Sequence, residues 1–308
     1  MRMKYDCVII GGGPAGLSAA LVLGRARKKV AVIDEGKPRN RVTGEMHGFL
    51  TRDPIAPSEF RRIAREQILA YPTVSFVADT AVSIAGTDGD FRITTAGGES
   101  YRSRKLLFAA GMKDLPLTIE GLADVYGKSA FVCPYCDGWE HRDQPLVVIS
   151  SGADALHMAK LIAGWTNRFT ICTNGSGDMT EAHREELSQR GIPVFDAPIR
   201  SVDSEGGIVH QVVLTDGTTV PCTGIFFRTT LVPGSDLPRA IGCEIAEAGT
   251  VVVDPFGKTN VPGVFSAGDA ATRMHQAIAA ASLGSMAAAA INGELSEEAW
   301  SHFTQAPH

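Results

Sequence analysis

Tyr5 to Ile10 is a short apolar run of β type that stops at Gly11-Gly12-Gly13-Pro14-Ala15-Gly16, and Leu17 to Leu23 then resumes with the spacing of a helix face. Strand, glycine turn and helix in that order define a βα unit of the dinucleotide-binding kind. The glycines permit a tight turn and let backbone N–H groups approach a pyrophosphate, whose charge is favoured at the positive end of the helix. Gly-x-Gly-x-x-Gly alone is a weak signal. Here Val30 to Ile33 supplies the next strand, and Asp34, ~18 residues past Gly16, stands where an acid meets ribose hydroxyls, with Glu35 in reserve. The stretch Cys7 to Gly24 is apolar enough to imitate a signal peptide or a membrane span, but Gly11 to Pro14 interrupts it. Without an export signal, a cytoplasmic chain is expected.

Further along, Glu59 to Leu69 reads as a charged amphipathic helix, and Val74 to Thr95 as short strands divided by Gly86 and Asp88-Gly89. Lys105 to Ala110 is another β run, ending at Gly111. Leu115-Pro116-Leu117 then breaks the pattern and marks a crossing between domains near Asp114. Leu146 to Ile149, the turn Ser150-Ser151-Gly152-Ala153-Asp154-Ala155 and a helix to Gly164 form a second, imperfect βα unit. Gly152 and Ala155 keep two of its small positions, so a nicotinamide nucleotide could still approach. Its next strand, Phe169 to Cys172, ends in Thr173-Asn174-Gly175, which offers neither an arginine for a 2′-phosphate nor a carboxylate for a 2′-hydroxyl. Val251 to Val253 leads to Val264 to Asp269, a strand ending in Gly-Asp. The Ala-rich stretch His275 to Ile291 reads as a helix too short, and too interrupted by Gly284, to span a bilayer.

Between the two βα units lies Cys133-Pro134-Tyr135-Cys136-Asp137. A thiolate attacks a disulfide, a second cysteine three positions away resolves the mixed disulfide, and an adjacent acid exchanges the proton. A zinc site would need two further ligands at short spacing, and Cys7, Cys172, Cys222 and Cys243 are scattered singly, so no metal is expected. The 308 residues are enough for one large or two medium domains, and the net charge of -5 carries no Lys/Arg block of the kind that binds nucleic acid or an anionic membrane. His47, His141 and Trp139 read as a loop histidine, a second histidine of the same standing and a packing residue.

Together these residues resemble the low-molecular-weight thioredoxin reductases among the FAD-dependent disulfide oxidoreductases, over Tyr5 to about Ile291. The resemblance implies an α/β fold of two Rossmann-like, three-layer (ββα) nucleotide-binding domains. The FAD domain is discontinuous (1–114 and 243–308) around a domain carrying the Cys-x-x-Cys (115–242). It implies FAD held by Gly11, Gly13, Pro14, Ala15, Gly16 and Asp34 (or Glu35), by Gly111, by Gly268 and Asp269 along the ribityl chain, and by His275, Gln276 and Ala277 at the pyrimidine edge. Cys133 becomes the interchange thiol, Cys136 the flavin-proximal one and Asp137 the acid–base. A homodimer acting on a thioredoxin-like protein or a small disulfide, with hinges near Asp114 and Gly242, follows. The chain departs from the bacterial reductases at Ser150-Ser151-Gly152 and Thr173-Asn174-Gly175, leaving the donor open between NADPH, NADH, ferredoxin and another flavoprotein. Cys-Pro-Tyr-Cys with Gly138-Trp139-Glu140 is also similar to a branch that includes dithiol oxidases returning electrons to oxygen.

Overall fold

The computed structural model describes residues 4–115 and 117–303. The chain divides into two compact units, Met1–Arg41 with Gly48–Lys113 and Leu231–His308, and Val42–His47 with Asp114–Thr230.

In the first unit, β1 (Lys4–Ile10) leads through the glycine turn to α1 (Pro14–Arg25) and β2 (Val30–Asp34). After α2 (Pro57–Leu69) come β3 (Val74–Ala78), β4 (Ala81–Thr87), β5 (Asp90–Thr95) and β6 (Ser100–Phe108). They form one sheet in the order β3-β2-β1-β6-β5-β4. β6 is long enough to serve two partners besides β1: Ser100 to Ser103 pair antiparallel with β5, and Leu106 to Phe108 pair parallel with β17 (Val264–Ser266). β1 is buried on both faces, as its unbroken apolar run requires. Cys7 and Ile9 face a core with the two long helices, while Val8 and Ile10 face Phe91, Ile93 and Val264. Gly86 lies inside β4 rather than dividing strands, because a Cβ there would fall 2.2 Å from Asp90 O and only glycine lets the hairpin close. Val251 makes a single bridge to Ile245 and no strand.

The closing helix α8 (Ala277–Phe303) extends well past the expected Ile291. By length and composition it could cross a membrane, contrary to the sequence reading. Its small residues instead pack into the core of the first unit: Ala280, Ala287, Ala288, Ile291 and Leu295 join the cluster around α1. A Cβ on Gly284 would sit 2.0 Å from Ala15 O, so glycine there sets how closely α8 approaches α1. At its far end, Lys105 of β6 is buried with its Nζ 2.6–2.9 Å from Asp88, Glu294 and Glu298, which neutralises a charge that could not otherwise be buried.

The second unit repeats the plan. α3 (Leu122–Val125), β8 (Ala130–Phe131) and the single turn α4 (Pro134–Asp137) precede β9 (Leu146–Ile149), α5 (Gly152–Ile162) and β10 (Phe169–Cys172). α6 (Glu181–Ser188) and β11 (Val194–Phe195) follow, then an antiparallel sheet of β12 (Ile199–Glu205), β13 (Ile208–Leu214) and β14 (Thr219–Pro221), and finally β15 (Gly224–Phe227). The parallel order is β11-β10-β9-β15-β8. Leu146 and Val148 face one core and Val147 and Ile149 the other, the same two-sided burial as β1.

The chain passes between units along β7 (Met112–Leu115) and β16 (Thr230–Pro233), which pair with each other. The second passage falls at Thr230/Leu231, ahead of the expected Gly242. The reason is local packing in the first unit: Gly234 N–H bonds Gly111 O at 2.9 Å, and Leu237 of α7 (Leu237–Ala240) and Cys243 just beyond it join its core. Pro116, part of the expected first crossing, lies outside the described residues.

Candidate active site

The first turn is built as its glycines require. Gly11 has φ +110, and a Cβ there would lie 2.3 Å from Ala109 O; at Gly16 a Cβ would meet Gly11 O at 1.9 Å. Gly13 is different: no atom lies within 4 Å of where its side chain would begin. A clear space therefore faces the N-terminus of the twelve-residue α1, which opens with Pro14. Backbone donors, a positive helix end and room that a Cβ would fill suit a pyrophosphate. Asp34 is held by three donors: Gly12 N–H at 2.9 Å, Gly36 N–H at 3.2 Å, and the Arg61 guanidinium. Arg61 also donates to Gly12 O at 3.4 Å. Glu35 instead faces Lys113 at 3.7 Å. Arg61 was not singled out in the sequence, yet it stands in the stripe Pro57, Arg61, Ala64, Ile68 that carries the packed face of α2. An arginine in an apolar stripe is the signal that could have found it.

Gly268 and Asp269 open a 3₁₀ turn directly after β17. Gly111, at φ +65, has Asp269 Cβ 3.9 Å from where its own Cβ would be. Ala15 lies beneath Gly268, whose added Cβ would fall 2.8 Å from Ala15 Cβ. His275 donates from Nε2 to Thr272 O at 3.1 Å, so its Nδ1 is free to accept from Arg39 Nη1 at 3.2 Å. Arg39 also lies 3.8 Å from Asp269. Gln276 O takes the N–H of Ala280, and α8 begins at Ala277. The first unit thus gathers Gly11, Gly13, Gly16, Asp34, Gly111, Gly268, Asp269 and the 275–277 segment. It adds Arg39 and Arg61, two cations not singled out in the sequence.

In the second unit Cys133 and Cys136 form a disulfide with their Cα atoms 5.3 Å apart. Pro134 starts the turn α4 between them, and Cys136 N–H and Asp137 N–H both return to Cys133 O. Asp137 is half-buried. Burial pushes its carboxyl up to about 7, His47 pulls it down, and Glu140 adds to the rise. His47 does not behave as a free loop residue: its ring lies 2.9 Å from Cys136 O. Tyr135 and Trp139 beside the pair are open to solvent, 64% and 65% exposed, while Pro134 and Gly138 are buried. Trp139 therefore corrects the packing reading; its ring is covered by the Arg142 guanidinium at 4.1 Å. His141 does pack, against Phe131 and Phe226, and burial lowers its pKa. The other four cysteines are buried, and burial drives the thiols of Cys172 and Cys222 up to about 12, beyond use as nucleophiles.

The second glycine turn has the βα form but not the chemistry of the first. Gly152 takes φ +58 and Ala155 is fully buried. Asp178 presses on this turn, its Cβ 3.2 Å from where a Cβ of Gly152 would be. Its carboxylate accepts from the Ser176 hydroxyl at 2.9 Å, and among the described residues no cation pairs with it. The cation nearby, Arg228, faces Asp154 at 3.4 Å. At the tip of β10, Thr173 bonds Asp196, which Arg184 holds at 2.8 and 2.9 Å, and Asn174 accepts the Ile199 N–H. The second turn thus has Asp178 packed beside Gly152 with no cation paired to it among the described residues, whereas Asp34 at the first turn is taken up by Arg61.

A profile of the pyridine nucleotide-disulphide oxidoreductase family matches residues 5–284. Thioredoxin reductase aclD of Aspergillus oryzae is 33% identical over 304 residues, covering 94% of this chain and 96% of that protein. Among solved structures, a candidate thioredoxin reductase, TrxB from Bacillus anthracis, is 41% identical with a TM-score of 0.92, over 96% of this chain and 99% of the other. HlmI is 32% identical with a TM-score of 0.94, over 99% and 97%. The match spans both Rossmann-like units and the segment that carries the disulfide, and the chain belongs to the pyridine nucleotide-disulphide oxidoreductase family as a thioredoxin reductase-like flavoprotein disulfide oxidoreductase.

Proposed function

We propose that this protein is an FAD-dependent thiol–disulfide oxidoreductase in which Cys133 exchanges with a thioredoxin-like protein or a small disulfide, Cys136 serves the flavin, and Asp137 moves the proton. The observation that carries this is the Cys133–Cys136 disulfide closed over one helical turn beside a carboxyl whose pKa is raised to about 7. FAD is assigned to Gly11, Gly13, Pro14, Ala15, Gly16 and Asp34 at its adenosine half. Gly111, Gly268 and Asp269 take the ribityl chain, and His275, Gln276 and Ala277 the ring edge. Bound FAD supplies a two-electron store.

In the reduced pair, Cys133 thiolate attacks one sulfur of the substrate disulfide, forming a mixed disulfide and expelling the other sulfur as a thiolate. Asp137, protonated below about pH 7, gives that thiolate its proton. Cys136 then gives its thiol proton to the Asp137 carboxylate and attacks Cys133 Sγ, restoring the Cys133–Cys136 disulfide and expelling the second substrate sulfur, which takes that proton from Asp137 to leave as a thiol. Run backwards, the same steps oxidise a dithiol, with Asp137 as base above about pH 7. A homodimer in the cytoplasm is the assembly and setting proposed with this reading.

Asp178 over Gly152 favours a second reading on the donor side. The family uses a flavin and a pyridine nucleotide, but a carboxylate on the second turn favours electrons that arrive from a dithiol and leave to oxygen, or that come from ferredoxin or another flavoprotein. Anaerobic mixing of the FAD-loaded protein with NADPH, NADH or a dithiol separates the two readings. Rapid flavin bleaching by a nicotinamide supports the reductase, and bleaching by the dithiol alone supports the oxidase. Bleaching by none of them contradicts both.

A further inference from the structure

His47 reaches the disulfide from a segment distant in sequence. Its Nδ1 lies 2.9 Å from Cys136 O, and because a carbonyl only accepts, Nδ1 carries the proton there. That leaves Nε2 as the nitrogen that gains or loses a proton. Nε2 faces Glu140 at 3.5 Å and Glu45 at 3.9 Å, and the ring is mostly buried. Among the described residues, the ionisable groups that interact with the imidazole are thus Asp137, Glu140 and Glu45, all acidic, and the ring also touches the backbone of the redox pair at Cys136 O.

We propose that His47 is a positioning residue of the thiol–disulfide step. Its Nδ1–H fixes the carbonyl of Cys136, and the positive charge it acquires at Nε2 favours the anionic forms of Asp137 and of the reduced cysteines. The electrostatics agree: His47 is the influence that draws the Asp137 carboxyl down against its burial. The chemistry has use for such a group. Oxidising a dithiol to a disulfide releases two electrons and two protons; Asp137 can hold one proton, and Nε2 of His47 can hold the other. This inference rests on the reading of Cys133–Cys136 as the working pair.

The test uses the full-length, FAD-loaded protein reduced with excess dithiothreitol under nitrogen. After removal of reductant, the rate of iodoacetamide alkylation is followed against pH, with Cys133 and Cys136 resolved by peptide mass. Asparagine at position 47 can keep the bond to Cys136 O but cannot titrate, whereas lysine keeps the charge and loses the ring. His47→Asn is expected to move the alkylation midpoint up by about half a pH unit or more, and His47→Lys to leave it at or below that of the unmodified protein. A midpoint unmoved or lowered in His47→Asn overturns the proposal, as does an equal rise in His47→Lys, which would make the carbonyl contact structural only. Should the lysine variant lose its flavin, the asparagine variant decides alone. A reduced parent protein that alkylates at neither Cys133 nor Cys136 overturns the redox-pair reading itself, a result distinct from an unmoved midpoint.

Discussion

The two βα turns of this chain share a backbone plan and differ in how they treat negative charge. Both follow a strand buried on its two faces, and both place a glycine at positive φ, Gly11 and Gly152. At the first turn Asp34 is taken up by Arg61 and two backbone N–H groups, and no atom lies within 4 Å of where a Cβ of Gly13 would be. At the second, Asp178 is held by a serine hydroxyl alone among the described residues and lies against the glycine. The two turns thus share the Rossmann-like backbone and differ in the partners given to the nearby acid, and a difference in charge of that kind bears on how each turn receives an anionic dinucleotide.

The comparison can be broken most forcefully at Gly13. Since a Cβ there has no protein atom within 4 Å, Gly13→Ala should fold normally, with unfolding stability within about 0.5 kcal/mol, while FAD affinity falls on the order of 100-fold. Fluorescence titration of the apoprotein measures the second, and an unchanged affinity would separate the first turn from the cofactor. Asp137→Asn, on the relay that draws on the first turn, is expected to cost about 100-fold in turnover. It should also remove a pH inflection near 7. The sign is set by the raised carboxyl: disulfide reduction, which needs the acid form, weakens as pH rises through about 7, and dithiol oxidation strengthens. Rates measured from pH 5.5 to 8.5 check both directions. Arg61→Met leaves Asp34 facing the cofactor with less compensation, and FAD should bind about tenfold more weakly. The smallest effect is expected at the second turn: Asp178→Asn should raise nicotinamide-driven flavin bleaching a few-fold without altering dithiol-driven rates. No change would shift the cause to the rest of that site.

Contiguous features were legible in the sequence. The strand–glycine–helix signal placed β1 and α1, the run Phe169 to Cys172 matched β10, and Cys-x-x-Cys with Asp137 carried its chemistry within five residues. What escaped was set by tertiary contact. Arg61 lies 27 residues from Asp34, and His47 lies 89 from Cys136, so neither pairing has a local signature. Asp178 meets Gly152 through a loop whose course no periodicity fixes. The passage at Leu231 was hidden because β16 is four residues long, and the stronger punctuation at Gly242 lies beyond α7, inside the first unit. The expected helix stopped at Ile291, where the Ala-rich run ends, short of Phe303, and Gly284, read as an interruption, is the contact that lets α8 lie against Ala15.

The claim on which the account depends is that electrons pass between FAD and substrate through the Cys133–Cys136 pair. Anaerobic stopped-flow mixing with a dithiol, following flavin absorbance in the parent protein and in Cys136→Ser, addresses it directly. The account predicts rapid bleaching in the parent and a loss on the order of 1000-fold or more in the variant with FAD still bound. Equal bleaching in both would contradict it.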